Sequence, residues 1–245
     1  MTWIAVGRLA FGERPSLFVT NFSGENNVLY RPSKRREGYR ERSARQGLAG
    51  PSRQRLGWGT GFLDADLDGD LDLWVINGHV YPQADAAGTD TSYAQPDQLF
   101  LQADGGFREV PLCAGPARVG RAGVSGDLDG DGDEDLVLIS LDGPVRVLRN
   151  YAPSRGDWVG IQLRGKAPRR DAIGASIRVS RGDLEQRAEV QRSGGFQAAR
   201  PSRRIFGLGR GEAPLQVQVR WPSGRTQEFE GLAVNQLHEL REDDE

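Results

Sequence analysis

Two stretches of this chain are copies of one another, and an internal repeat constrains a fold more tightly than any local pattern. Gly61-Phe-Leu-Asp64-Ala-Asp66-Leu-Asp68-Gly69-Asp70-Leu-Asp72-Leu-Trp-Val-Ile76 returns 63 residues later as Gly126-Asp127-Leu-Asp129-Gly130-Asp131-Gly132-Asp133-Glu-Asp135-Leu-Val-Leu-Ile139. An eroded copy lies 56 residues before the first, from Val6 to Thr20. It keeps the frame but carries Arg8, Ala10, Gly12 and Ser16 where the others carry acids.

Each copy leads into a short apolar strand, and a second strand follows: Asn27–Arg31, Asp97–Leu101 and Val145–Asn150. The first two copies add a Gly-aromatic-Arg-Glu step, Gly38–Glu41 and Gly106–Glu109. Short β-rich runs punctuated by Gly, Pro and Asp read as strands. A period of about 60 residues with about four strands is the size of one propeller blade. Residues 1–150 are therefore expected to form about two and a half blades, whereas a ring takes roughly 4–8. The expectation is a C-terminal part of a larger propeller protein, completed by the missing blades or by another chain. From residue 157 to 241 the texture changes to alternating apolar and polar residues, as in Leu215-Gln-Val-Gln-Val-Arg-Trp221. That period of two belongs to a sheet with one wet face, hence a small β-sandwich or barrel-like unit. The fold class expected is all-β, a partial propeller followed by that unit.

Composition narrows the partners. With 32 basic and 34 acidic residues the net charge is −2, without the basic excess of a nucleic-acid binder. No apolar run reaches ~18 residues, so no membrane span is expected. Met1–Ala10 has neither a basic leader nor a long apolar stretch, so no signal peptide is visible there. The single cysteine, Cys113, allows no internal disulfide.

The chemistry-bearing residues are the carboxylates at alternate positions: Asp64, Asp66, Asp68, Asp70 and Asp72 in one loop, and Asp127, Asp129, Asp131, Asp133 and Asp135 in the other. Two unit charges about 5 Å apart repel by roughly 3 kcal/mol at an effective dielectric near 20. A hard divalent cation removes that cost, because Ca²⁺ accepts six to eight oxygens in flexible geometry, whereas Mg²⁺ demands a stricter octahedron. Gly69 and Gly130, at the sixth position, suit a tight turn. An EF-hand is excluded, since its twelfth-position Glu would be Val75 or Leu138. Two structural Ca²⁺ sites are therefore expected. Asp64, Asp66, Asp68 and Asp72 would ligate in one and Asp127, Asp129, Asp131 and Asp135 in the other, with Asp70 and Asp133 contributing main-chain carbonyls. The competing possibility is a pair of solvated Asp-Gly turns.

These loops resemble the FG-GAP/VCBS repeats of integrin-α-like β-propellers. The C-terminal part resembles the ASPIC/UnbV domain, through Asp171-Ala-Ile-Gly174-Ala-Ser-Ile-Arg-Val179, Gly194-Gly-Phe196-Gln, Phe206-Gly-Leu-Gly209 and Val219-Arg-Trp221-Pro-Ser-Gly224. With Asn77-Gly-His79-Val-Tyr-Pro82, the order is that of the cartilage-acidic-protein-like family. The resemblance implies a non-catalytic, calcium-binding interaction protein of the cell exterior or envelope, with a protein or carbohydrate ligand. The alternative is an enzyme, or the accessory lobe of one, working through the propeller channel. No Gly-x-Ser-x-Gly elbow, Walker loop or zinc-protease signature supports it. His79 is expected to support the loop after its strand. Arg-Gly-Asp occurs at 155–157 and 181–183, an integrin-ligand signature that the Arg- and Gly-rich composition also produces by chance.

Overall fold

The computed structural model describes residues 3–9, 14–33, 37–86, 88–113, 115–151, 156–168 and 170–243. The chain is all-β, with one helical turn at Ala49–Ser52 and one 3₁₀ turn at Pro82–Asp85 among the described residues. Three antiparallel meanders come first. Blade one is β1 (Ile4–Gly7), β2 (Ser16–Val19), β3 (Val28–Pro32) and β4 (Tyr39–Glu41), hydrogen-bonded in that order. Blade two repeats the order with β5 (Gly57–Leu63), β6 (Asp72–Asn77), β7 (Gln98–Ala103) and β8 (Gly106–Val110). Blade three has three strands, β9 (Gly120–Gly126), β10 (Asp135–Ser140) and β11 (Arg146–Leu148). The eroded first copy thus still makes a blade. Ala10 and Gly12 of its loop lie outside the described residues; Ser16 is buried, and Arg8 pairs with Glu189 of the C-terminal unit at 3.7 Å.

The innermost strands β1, β5 and β9 lie side by side. Their crowding explains their glycines: a Cβ on Gly59 would meet the backbone of Gly123 at 2.9 Å. Each blade has two faces, which the pleat assigns to alternate residues. The face carrying Leu73 and Val75 (here the front) packs against Ala5, Phe18 and Leu29 on the back of blade one. The back of blade two, with Trp74 and Ile76, packs against Leu136 and Leu138 on the front of blade three. Blade two is covered on both sides, so all six residues of β6 are buried.

The C-terminal unit is a two-sheet sandwich. One sheet is β12 (Asp157–Arg164) between β17 (Arg204–Gly209) and β20 (Gln236–Arg241), with β12 and β20 parallel. The other orders β14 (Leu184–Glu189), β13 (Ser176–Arg181), β18 (Leu215–Arg220) and β19 (Thr226–Glu230). Between them lie Val159, Ile161, Ile177, Val179, Phe206, Val217, Val219 and Trp221, each buried. Strand β20 was not anticipated; four of its six residues are exposed, so its hydropathy pattern is faint.

A small hairpin, β15 (Ser193–Gly195) and β16 (Ala198–Ala199), leaves the sandwich and lies against β5 and β9. At its turn the Phe196 ring stacks on Trp3 (4.2 Å between centroids) and reaches Trp58 (5.5 Å). Arg121 lies over Trp58 at 4.4 Å, a cation–π contact. The inner strands are therefore capped by an aromatic side chain from the C-terminal unit.

Candidate metal centre

The two acidic loops join β5 to β6 and β9 to β10, and both face the sandwich. In the first, one carboxylate oxygen each from Asp64, Asp66 and Asp72 lies within 4.8 Å of the others. In the second, Asp127, Asp129 and Asp135 do the same. Asp68 and Asp131, expected as ligands, are not in these groups. Asp68 Oδ1 accepts from Asp70 N–H (2.8 Å), and Asp131 Oδ1 accepts from Asp133 N–H (3.3 Å). Asp70 is exposed and Asp133 is fully buried.

The local bonds explain why this spacing recurs. Asp72 accepts from Ala65 N–H and Gln102 N–H, both at 2.8 Å, tying the loop to the end of β7. Asp135 accepts from Leu128 N–H (3.0 Å) and Asn150 N–H (2.8 Å), the same pair of bonds one repeat later. Asp64 receives Asp68 N–H and Gly69 N–H, and Asp127 receives Gly130 N–H. Gly69 (φ +98°) and Gly130 (φ +81°) turn the chain in the left-handed region, as expected at the sixth position. An ionised carboxylate offers about four lone-pair sites, so these bonds leave oxygens of each trio able to ligate. An all-oxygen donor set of three carboxylates suits a hard cation such as Ca²⁺.

Charge separates the two loops. Among the described residues Asp64, Asp66, Asp68 and Asp72 form no ion pair. Burial first, then Asp68 and Asp72, hold the Asp64 carboxyl well above its ordinary range. Burial, with Asp66 and Asp68 adding to it, pushes Asp72 from 3.8 up to about 7. The second loop carries cations of its own: Arg149 pairs with Asp129 and lies 3.6 Å from Asp131, and Arg203 donates to the Asp127 carbonyl. Neither arginine stands out in the sequence, because both lie outside the acidic loops.

The loops also form the joint between blades and sandwich. Gly209 N–H donates to Leu67 O (2.9 Å) and Gly156 N–H to Asp66 O (3.2 Å). Arg200 pairs with Glu134 at 2.8 Å. Asn150 Nδ2 donates to Ala65 O (2.8 Å), linking one loop to the other. Gly207 of β17 sits so close to Asp64 and Leu67 that any Cβ there would collide. A cavity of about 340 Å³ between blade one and the sandwich reaches Asp64 and Asp70 and gives access to the first loop.

Other sequence signals resolve without chemistry. His79 Nδ1 lies 3.1 Å from Tyr81 N and 3.3 Å from Tyr81 O, and its Nε2 lies 3.1 Å from Ser23 Oγ, so the ring fastens blade two's loop to blade one. Arg181 is buried and bonds Asp157 (2.7 Å) and Ala213 O (3.3 Å), so the second Arg-Gly-Asp cannot present its guanidinium. In the first, Arg155 lies outside the described residues, and Asp157 is held by Arg181. No helix is long and apolar enough to cross a membrane, among the described residues. Two comparisons bear on relationship. No curated protein matches this chain. Residues 165–245 match the family model described as ASPIC and UnbV, which covers most of the sandwich and the hairpin that reaches the blades.

Proposed function

We propose that this chain is a non-catalytic interaction module in which two structural Ca²⁺ ions brace the joint between a propeller segment and an ASPIC/UnbV sandwich. The blades are then of the FG-GAP/VCBS type, in the order of the cartilage-acidic-protein-like proteins, and the module works at the cell exterior or envelope on a protein or carbohydrate ligand. The observation that carries the proposal is the duplicated trio of carboxylates, Asp64/Asp66/Asp72 and Asp127/Asp129/Asp135, in each of which the outer two residues are buried and the middle one is half-buried or exposed. Asp64, Asp66 and Asp72 would hold one ion and Asp127, Asp129 and Asp135 the other, and an ion would supply charge neutralisation and rigidity. The Phe196 cap on the inner strands argues against an enzyme working through the channel.

The test is native mass spectrometry with thermal melting. Two calcium ions per chain are expected. At ~100-fold excess over Kd each ion adds about 2.7 kcal/mol, so two raise the midpoint of a chain of this size by roughly 10–20 °C. An unchanged midpoint in EDTA, together with a metal-free mass in excess calcium, overturns the proposal.

A further inference from the structure

Strand β14 is the edge of its sheet, paired with β13 and with no other strand among the described residues. Every residue of it, Leu184–Glu189, lines the cavity between blade one and the sandwich. Successive side chains of a strand point to opposite faces, so a cavity touched by all of them runs along the edge itself. The N–H and C=O groups of such an edge are a template for another strand. The facing walls, from Gly7, Leu9 and Pro15 of blade one and Leu71 of the first acidic loop, all belong to this chain. The two ends of the edge differ in charge. At its far end Arg204 Nε donates to Glu189 O (3.2 Å). Arg204 otherwise bonds only carbonyls, those of Gln191 (2.8 Å), Pro201 (3.1 Å) and Arg203 (3.2 Å). It is buried, and burial first, then Arg200, lower its pKa to about 9. Arg200 pairs with Glu134, and its Nε is buried without a hydrogen bond among the described residues. Both arginines and Glu134 line the cavity, so two guanidinium groups share one carboxylate. At the near end stands Asp183, exposed and in no ion pair among the described residues.

We infer that this edge takes up the C-terminal segment of a partner peptide, added parallel to β14, with its free carboxylate on Arg200 and Arg204 and a basic residue beside Asp183. A carboxylate is the group that a buried guanidinium pair with one acid between them lacks, and the two shapes match at two points. The donors are at hand: a guanidinium has five N–H groups, of which Arg204 spends four, and Arg200 keeps its Nε–H. Main-chain bonds along the edge supply affinity, and capture of the terminal carboxylate fixes the register. From Asp183 to Glu189 the edge runs about 20 Å at ~3.3 Å per residue, so the guest is a segment of about six residues. Its last side chain meets Ala188 and Ile205, which favours an apolar residue there. The inference names the partner chemistry of the interaction module proposed above and rests on that reading, but not on its ions. Because Asp64 also lines the cavity, the test is made with and without calcium.

Affinity selection on the immobilised full chain, in calcium and in EDTA, tests it. One pool holds hexapeptides with Lys or Glu first, random middle positions and Leu, Ile or Val last, ending in a free carboxylate. A second pool is identical but amidated at the C-terminus. In at least one of the two buffers the free acids should be retained about tenfold or more over the amides, as expected for hydrogen bonds to a charged group. Arg200→Gln, its fold checked by near-UV circular dichroism, should abolish that ratio; the comparison of acid with amide needs no variant. Asp183→Lys, at an exposed position, should turn a preference for Lys-first peptides into one for Glu-first peptides. Bound peptide should also slow hydrogen exchange in β14 and leave β18, inside the same sheet, unchanged. Equal retention of the two pools in both buffers, an acid preference that survives Arg200→Gln, an unaltered first-residue preference in Asp183→Lys, or no added protection in β14 overturns the inference. Calcium bound by a chain that fails these tests leaves the metal proposal standing, and acid-selective retention by a metal-free chain supports the peptide site alone.

Discussion

Asp66 and Asp129 occupy the same position in their loops, yet their surroundings give them opposite roles. Asp66 stands among acids and has no ion-pair partner among the described residues, whereas Asp129 is paired with Arg149. In EDTA, Asp66→Asn should therefore raise the melting midpoint by relieving repulsion worth on the order of 1 kcal/mol, and Asp129→Asn should lower it. In calcium both should lose midpoint, since each removes a ligand. The same sign for both variants in EDTA would show that the Arg149 pairing is immaterial. Protons test the same charges. A carboxyl whose folded pKa lies above its unfolded one makes the folded state bind more protons in the window between them. For Asp72 that window runs from about 3.8 to about 7, with Asp64 shifted in the same direction. Stability in EDTA should accordingly fall as pH rises through it. Saturating calcium should reverse the slope, because ligation requires deprotonated carboxylates. Urea midpoints between pH 4 and 7, with and without calcium, decide it.

At the scale of elements, the loops were legible because their spacing is written twice, and each repeat of the pattern reappears as the same pair of backbone bonds to Asp72 and Asp135. The strands around them were legible for the same reason. Burial was not: Ile76 and Ile139 occupy equivalent positions, but one is fully buried and the other 47% exposed. Which faces are covered depends on neighbouring blades, and no local pattern carries that. Asp68 and Asp131 stand outside the two trios, each accepting the amide two residues on, and alternation along the loop does not show which carboxylates turn inward and which bond the next peptide. The hairpin was visible only as a short Gly-Gly-Phe motif; its contact with Trp3 spans nearly the whole chain. Phe196→Ala deletes that contact and the one to Trp58. A loss of about 1–3 kcal/mol is expected, read as a lower urea midpoint and as red-shifted or quenched tryptophan fluorescence. A neutral substitution would mean that the hairpin merely rests on β5 and β9.

For the whole molecule, the position of the acidic loops matters more than their chemistry. The blades and the sandwich each have a core of their own, and besides the hairpin on β5 and β9 they are joined by bonds at Asp66, Leu67, Asp127 and Glu134, within or beside the two trios. Unscreened carboxylates at such a joint repel each other inside the very surface that must stay closed, so an ion there would govern the docking of two units rather than the folding of either. Local opening has its own free energy, smaller than that of global unfolding. Hydrogen exchange can separate the two. On transfer from calcium to EDTA the Gly209 amide, bonded to Leu67 O, and the Gly156 amide, bonded to Asp66 O, should lose protection. Amides in β13 and β18, paired within the sandwich, should keep theirs. If all of these amides lose protection together, the ions hold the fold as a whole; if Gly209 and Gly156 stay protected, the joint is closed by the glycine-backed packing of β17 alone.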